Sequence, residues 1–327
     1  MSQNVLTNRH DFLLLFEVTN GNPNGDPDAG NMPRLDPNTN RGIVSDVCLK
    51  RKVRNYVFEA MRNATGEPLD GHKIFIQHSH YLNDVIEFFH SKAADEVKGS
   101  GRNGRETVNA TDALAVKWLC QNFFDIRCFG AVVSTGPMKG SSYGQIRGPV
   151  QFTFGKSFHE ITPLEISITR CAATDAGEEE KIRRGQDRTM GNKHIVPYAL
   201  YAAKGYVSPA FAERTGFTQA DLDLLFGALL HMFEHDRSAA RGEMVVRGLY
   251  DFEHVGTQHE NNAEQNKREA RLGCAHAHKL VEGIKVDLTD KAKAKGFPES
   301  FTDYDVTCEW DSKPLPKGVR LHKRHDI

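Results

Sequence analysis

Residues 11–19 read DFLLLFEVT, residues 20–42 read NGNPNGDPDAGNMPRLDPNTNRG, and residues 45–62 read SDVCLKRKVRNYVFEAMR. The first stretch is an apolar, β-rich run of strand length and predicts a buried strand. The second is crowded with Asn, Gly, Pro and Asp, which favour turns, and predicts a long irregular loop of the kind that is either functional or disordered. The third places Ser45 at an N-cap, with Val47, Val53, Val57 and Met61 approximating one apolar stripe, and predicts a helix. Lys50, Arg51 and Arg54 crowd a neighbouring face of that helix.

Outward from this unit, residues 64–125 read as an insertion holding two helices, about 82–98 and 110–124, joined by the basic tip GSGRNGRET. Strand-like runs follow at 126–134 and 146–154. EISITRCAAT (165–174) and HIVPYALYAAKGYV (194–207) predict a hairpin whose strands are separated by a charged stretch. An amphipathic helix is expected over 219–236, a strand over 243–252 and a helix over about 264–281; the Pro- and Lys-rich remainder is weakly patterned. Without the insertions the order is βαββαβ, an α+β domain of the ferredoxin-like or RNA-recognition-motif (RRM) kind. The expected organisation is a palm from residues 1–63 and 126–327, with a helical finger insertion at 64–125.

Composition narrows the function classes. The hydrophobic share of 39% and charged share of 26% suit a globular protein. No apolar run reaches the roughly 18 residues that a membrane helix needs, and MSQNVLTNRHDF lacks a signal-peptide core, so the expected compartment is the cytoplasm. Six scattered cysteines without a CxxC pair read as free thiols. The net charge of −1 gives no global attraction to a polyanion, so any nucleic-acid binding must come from local patches. Those patches exist. Residues 41–62 hold six Lys or Arg against two acids, and residues 181–193 hold five against Asp187 alone. The tail adds Lys313, Lys317, Arg320, Lys323 and Arg324. Segregated patches on a neutral chain suit a protein that binds a polyanion while packing against copies of itself.

Several motifs compete with that reading. His231-Met232-Phe233-Glu234-His235 matches the HxxEH zinc pattern, but a histidine at a helix end is favoured by the helix dipole and needs no metal. Cys274, His276 and His278 stand at spacings that do not share one helix face. Gly99–Gly104 satisfies GxGxxG but follows a helix rather than a strand, so the dinucleotide context is missing. No cofactor or bound metal is expected. Asp26, Asp28 and Asp36 read as turn residues beside Gly and Pro, with a divalent cation as the alternative. What tips the balance toward nucleic acid is coincidence: the polar loop, the basic helix face, the glycine-rich SSYGQIRGPVQF and the basic hairpin all border one expected sheet. Gly-rich backbone and Lys or Arg side chains together make a path for successive phosphates.

LFEVTNGNPNGDPDAGNMPR (15–34), RGIVSDVCLKRKVRNYV (41–57), FGAVVSTGPMKGSSYGQIRGPVQFTFGKS (129–157), MGNKHIVPYALYAAKGYVSP (190–209) and MFEHDRSAARGEM (232–244) together resemble the Cas-seven backbone subunit of type I-C CRISPR Cascade, in the RAMP superfamily. The resemblance implies an RRM-like palm with helical fingers and a β-hairpin thumb at about 172–193. It implies a non-catalytic protein that polymerises along CRISPR RNA and presents the guide for pairing with target DNA. Implied partners are the guide, the target DNA strand, neighbouring copies and other Cascade subunits. Matched to the family, Ser45, Lys50, Arg51 and Arg54 would hold guide phosphates, and Met190 would wedge between bases beside Lys193. Asn22, Asn24, Gln145, Arg147, Arg183, Arg184 and Arg188 complete the expected RNA-binding set. Type III relatives carry a catalytic aspartate after the first strand. Asp26 and Asp28 occupy the corresponding region, which makes a metal-dependent RNase the alternative.

Overall fold

The computed structural model describes residues 4–78, 80–98, 104–170, 189–257 and 262–324. Its centre is β1 (His10–Gly21), buried along almost its whole length. After it, the polar loop forms two short paired strands, β2 (Gly25–Asp26) and β3 (Met32–Pro33), then β4 (Arg41–Val44) leads into α1 (Asp46–Ala60). The inserted region supplies α2 (Leu82–Lys98), α3 (Arg105–Asn122) and α4 (Phe124–Phe129). A run of strands follows: β5 (Gly130–Val132), β6 (Gln145–Arg147), β7 (Val150–Phe152), β8 (Gly155–Glu160), β9 (Leu164–Arg170) and the long β10 (Thr189–Val207). Then come α5 (Pro209–Thr215), α6 (Gln219–His235) and β11 (Glu243–His254). The remainder forms α7 (Ala263–Leu272), α8 (Ala277–Glu282), β12 (Ile284–Leu288), α9 (Asp290–Lys295), β13 (Tyr304–Cys308) and β14 (Val319–Lys323).

These elements make a mixed α/β molecule around one antiparallel sheet ordered β14-β11-β1-β10-β8-β4, with β7 and β9 also pairing with β10. β1 is flanked by β10 and β11, His10 facing Val207 on one side and Glu253 on the other. Successive side chains of a strand point to opposite faces, so an uninterrupted apolar β1 requires cover on both. On one face Phe12, Leu14 and Phe16 pack with Leu49, Val53 and Val57 of α1 and with Leu222, Phe226 and Phe233 of α6. On the other, Leu13 and Leu15 pack with Leu280, Val281, Ile284 and Val319. The weakly patterned C-terminal segment is therefore folded, and it roofs the second face with α8, β12–β13 and the edge strand β14. That roof covers the face of the sheet opposite α1 and α6.

Several local expectations change. Of the expected hairpin strand 165–174, residues 165–170 are described, and they do not pair with the part of β10 that lies beside β1. β9 instead pairs with Thr189–Ile195, the first part of β10, while Val196–Val207 pairs with β1. β10 thus runs on past the sheet as one strand of a two-stranded arm. Residues 126–129 are helical in α4 rather than extended, because the run IRCFGAVV, apolar but for Arg127 and Gly130, carries no clear period of its own. The helix expected over 264–281 is two, broken at Gly273, whose φ of +106° a helix cannot continue. On α1, Val47 is 65% exposed and Leu49, Lys52, Val53 and Val57 face inward.

The insertion has its own core. Phe75, Ile86, Phe89, Leu119, Cys120 and Phe123 form it, and it continues past residue 125 to Ile126, Val133 and Met138. The wholly buried α4 joins it to the rest. Asp125 receives hydrogen bonds from the Phe75 and Ile76 amides (2.7 and 3.0 Å) and from Arg54 of α1 (2.8 Å). Arg127 donates to Asp221 of α6 (2.6 and 3.0 Å) and to the carbonyls of Gly71 (3.0 Å) and Cys120 (2.8 Å).

Candidate nucleic-acid interface

The start of α1 is fixed by the polar loop. Ser45 has extended backbone and its Oγ accepts from the Cys48 amide at 3.4 Å, as an N-cap does. Asn24 reaches back across the loop: its Oδ1 accepts from the Ser45 amide at 2.9 Å and from the Ser45 hydroxyl at 2.8 Å. Asn22 is buried, donating its amide to the Ala240 carbonyl (2.6 Å) and its side chain to the Asn31 carbonyl (2.7 Å). The two asparagines thus tie the loop to the N-terminus of α1 and to the segment after α6. Asn20, Asn31 and Asn40 adopt positive φ, which asparagine tolerates better than other side chains bearing Cβ.

The aspartates of the loop serve its turns. Asp26 Oδ1 accepts from the Asp28 amide at 3.2 Å and faces Arg34 at 3.4 Å. Asp36 accepts from the Asn38 amide and from Lys156 (3.1 and 3.4 Å); those bonds, the amide first, hold its carboxyl below the ordinary value. His231 stacks with Tyr56, and His276 stacks with His278.

Around the N-terminus of α1 lies a hollow of about 500 Å³ whose cationic walls are Arg34, Arg51, Lys52 and Arg241, with Asn24 and Ser45 at its base. Lys52 is turned inward to a buried ion pair with Asp236, which also accepts from Asn55 at 3.1 Å and faces Arg241 at 3.4 Å. Burial pushes the Asp236 carboxyl up, but Lys52, Asn55 and Arg241 outweigh it and hold it below the ordinary value. Arg51 is exposed, and its Nε donates to Asn55 (3.1 Å). Three buried side-chain atoms without a hydrogen-bond partner lie in or near it: Asn22 Oδ1, Arg34 Nε and Arg241 Nε, the last facing Asp236 at 3.4 Å. Such unspent capacity is uncommon in folded proteins and marks a place that meets polar partners.

A second hollow of about 320 Å³ adjoins the first, sharing Arg51, Asn55 and Asp236, and adds Arg54, His78, His235 and Arg237. The two form one basic trough beside α1.

Lys50 lies outside it, and Arg54, though it lines the second hollow, is held by other partners. Lys50 is paired with Asp46 (2.8 Å) and lies over the Phe129 ring. Arg54 also lies over that ring, its Nε spent on buried Asp125. Both side chains are more than four-fifths covered, on the side of α1 toward α4. Gln145 and Arg147 are exposed on the β5–β6 ribbon that begins one residue after Phe129. Lys193 stands on the arm and reaches the Ala239 carbonyl at 3.4 Å, beside the trough. Arg183, Arg184 and Arg188 lie outside the described residues, as does most of the expected thumb. Met190 pairs through its backbone with Thr169, and its side chain is outside the described set. Arg34, Arg237 and Arg241 were not among the expected residues. Each stands alone in a loop, where no periodicity signals its neighbours.

The family model of CRISPR-associated protein Cas7 matches residues 8–309. A curated protein of Haloferax volcanii described as CRISPR-associated protein Cas7 is 28% identical over 302 residues, covering 86% of this chain and 81% of that one. Two solved chains are similar at lower identity. One, from a CRISPR RNA-guided surveillance complex described as pre-nicking, is 14% identical with a TM-score of 0.43, covering 75% of this chain and 78% of its own. The other, from a CRISPR RNA-guided surveillance complex, is 16% identical with a TM-score of 0.41, covering 75% and 68%.

Proposed function

This chain belongs to the CRISPR-associated Cas7 family, and from that premise we propose that it is a guide-RNA-binding backbone subunit of a type I-C Cascade complex. The observation that carries the proposal is the trough beside α1, where Arg34, Arg51 and Arg241 converge on the helix N-terminus fixed by Ser45 and Asn24. Guanidinium groups and a helix N-terminus suit phosphate oxygens, and neither reads base identity. A backbone subunit needs this, because guides differ in sequence and their base edges must stay free for target DNA.

The sheet supports the finer fold reading. The order β11-β1-β10-β8, with α1 and α6 on one face, supports the reading as an RRM-like βαββαβ palm. The C-terminal roof covers the face on which such domains ordinarily stack bases. In this reading RNA lies at the end of the sheet, between the polar loop, α1 and the segment after α6. The β9–β10 arm is the thumb stem, and neighbouring copies stack along the guide. Lys50, Arg54, Gln145 and Arg147 extend the path on the α4 side of α1, with Lys50 and Arg54 exchanging carboxylate partners for phosphates.

The subunit acts without catalysis. What supports this is the employment of Asp26, whose carboxylate is taken up by the Asp28 amide and Arg34.

The test is RNA binding by the full chain against salt. Replacing Arg34 and Arg51 together by Ala should lower affinity equally for unrelated RNA sequences. It should also flatten the dependence of log K on log salt by about 1.4, two single-strand phosphate contacts' worth. An unchanged slope would place the RNA elsewhere. Complementary RNA with Mg²⁺ should stay intact; cleavage abolished by Asp26→Ala would overturn the non-catalytic part.

A further inference from the structure

The trough does not end at Arg54. Going along α1 it opens into a third hollow, of about 560 Å³, which shares Phe58, Ile74 and Gln77 with the second. Arg51, Asn55 and Phe58 of α1 recur every three or four positions on one face of the helix, with Arg54 and Glu59 beside them, and Arg62 follows just beyond the helix end. From Arg51 to Phe58 that face is roughly 10 Å long.

Chemistry changes along it. The first two hollows carry most of the cations, with Glu59 and Asp236 as acids and Phe58, Ile74 and Ile76 where the second meets the third, whereas the third is lined by Phe58, Phe88, Phe89 and Phe123, with Arg62 and Lys73 as its cations and Glu67 and Asp84 as its acids. Phe88 is 54% exposed, a costly position for a phenyl ring that three neighbouring phenylalanines could have buried. Its ring carries the Lys92 ammonium 4.8 Å from its centroid, and the Phe58 ring carries the Arg62 guanidinium at 3.6 Å. Arg62 covers the Phe58 ring, whereas Phe88 is more than half exposed with Lys92 over one side of its ring; at the end of a basic trough it makes a platform on which a base stacks while its phosphate stays on the rim.

We propose that this hollow between α1 and α2 takes an unpaired nucleobase of the nucleic acid lying in the trough, stacked on Phe88. The proposal rests on the reading that RNA runs beside α1. Continuity with the basic trough favours a base over an apolar side chain of a protein partner, for which nothing would require the line of arginines leading in.

The experiment uses the full chain with single-stranded RNA carrying one 5-iodouridine, moved along the oligonucleotide, and a parallel arm with iododeoxyuridine in a DNA strand annealed to the RNA. Photocrosslinking to Phe88 from the RNA assigns the base to the guide; crosslinking from the DNA assigns it to the paired strand. Either supports the site. Phe88→Ala should weaken RNA binding about tenfold without changing the salt slope, since it removes stacking and no phosphate contact. Phe88→Tyr, which keeps the ring, should restore binding. Should Phe88→Ala bind as tightly as the unaltered chain while the Arg34 and Arg51 pair still loses affinity and slope, the stacking site is wrong and the trough stands. Loss of effect in both would overturn the trough itself. Unchanged RNA binding by Phe88→Ala with failed assembly onto partner proteins would assign the hollow to a protein and also overturn the proposal.

Discussion

Asp236, one residue beyond α6, holds three parts of the interface at once: Lys52 and Asn55 of α1, and Arg241 of the following loop. Lys52 is buried, so Asp236→Asn leaves an uncompensated interior charge and should cost about 3 kcal/mol in urea unfolding at neutral pH. The pH dependence follows from the lowered carboxyl. A depressed Asp stabilises above its unfolded value and loses that contribution as pH falls through the folded one, below the ordinary 3.8. The asparagine variant should therefore show a shallower loss of stability in that acid window than the unaltered chain. Little of this was legible beforehand. Lys52 looked like one more cation of a basic helix, and only packing against α6 turned it inward. Ser45 was legible, because a hydroxyl before a helical pattern is a local signal. Ser45→Ala should cost about 1 kcal/mol from the lost cap, measurable by the same unfolding, and should loosen the loop by removing the hydroxyl donor to Asn24.

At the scale of the element, β10 divides into a portion inside the sheet and a portion in the arm. Inside the sheet, Gly205 is required by contact: a Cβ there would stand about 2 Å from the Phe12 ring carbons. Gly205→Ala should destabilise the fold by about 2 kcal/mol, read from the denaturation midpoint, because the fully buried ring has nowhere to move. In the arm, Leu164, Ile166 and Ile168 alternate along one face of β9 and are each more than two-fifths exposed. Replacing Ile166 and Ile168 by Thr removes little buried area and should shift the thermal midpoint by no more than about 2 °C. The hairpin was visible as two β-prone runs, but its placement was not. A strand's pattern says which faces are apolar and not which neighbour will cover them.

Across the whole molecule, α4 is the joint between the inserted helices and the sheet, with Asp125 and Arg127 reaching opposite ways from it. Arg127→Met leaves Asp221 buried without its partner and should cost about 3 to 5 kcal/mol. Amide hydrogen exchange should quicken first in residues 71–76 and 218–222, the segments that Arg127 and its partner Asp221 hold. The roof sets another global constraint: truncation after residue 273 would bare Leu13, Leu15, Tyr250 and Phe252, and the product should be recovered as aggregate in size-exclusion chromatography. What the sequence determined by itself was everything carried by local pattern: a buried β1, a polar loop, a capped and basic α1, an amphipathic α6, and the set of family blocks around them. What only the tertiary structure decided was which cations face solvent, which are spent on Asp125 and Asp236, and that the second face of the sheet is closed. The reason is physical. Periodicity and turn chemistry act within a few residues of the chain, whereas burial and ion pairing depend on which distant segments arrive beside them.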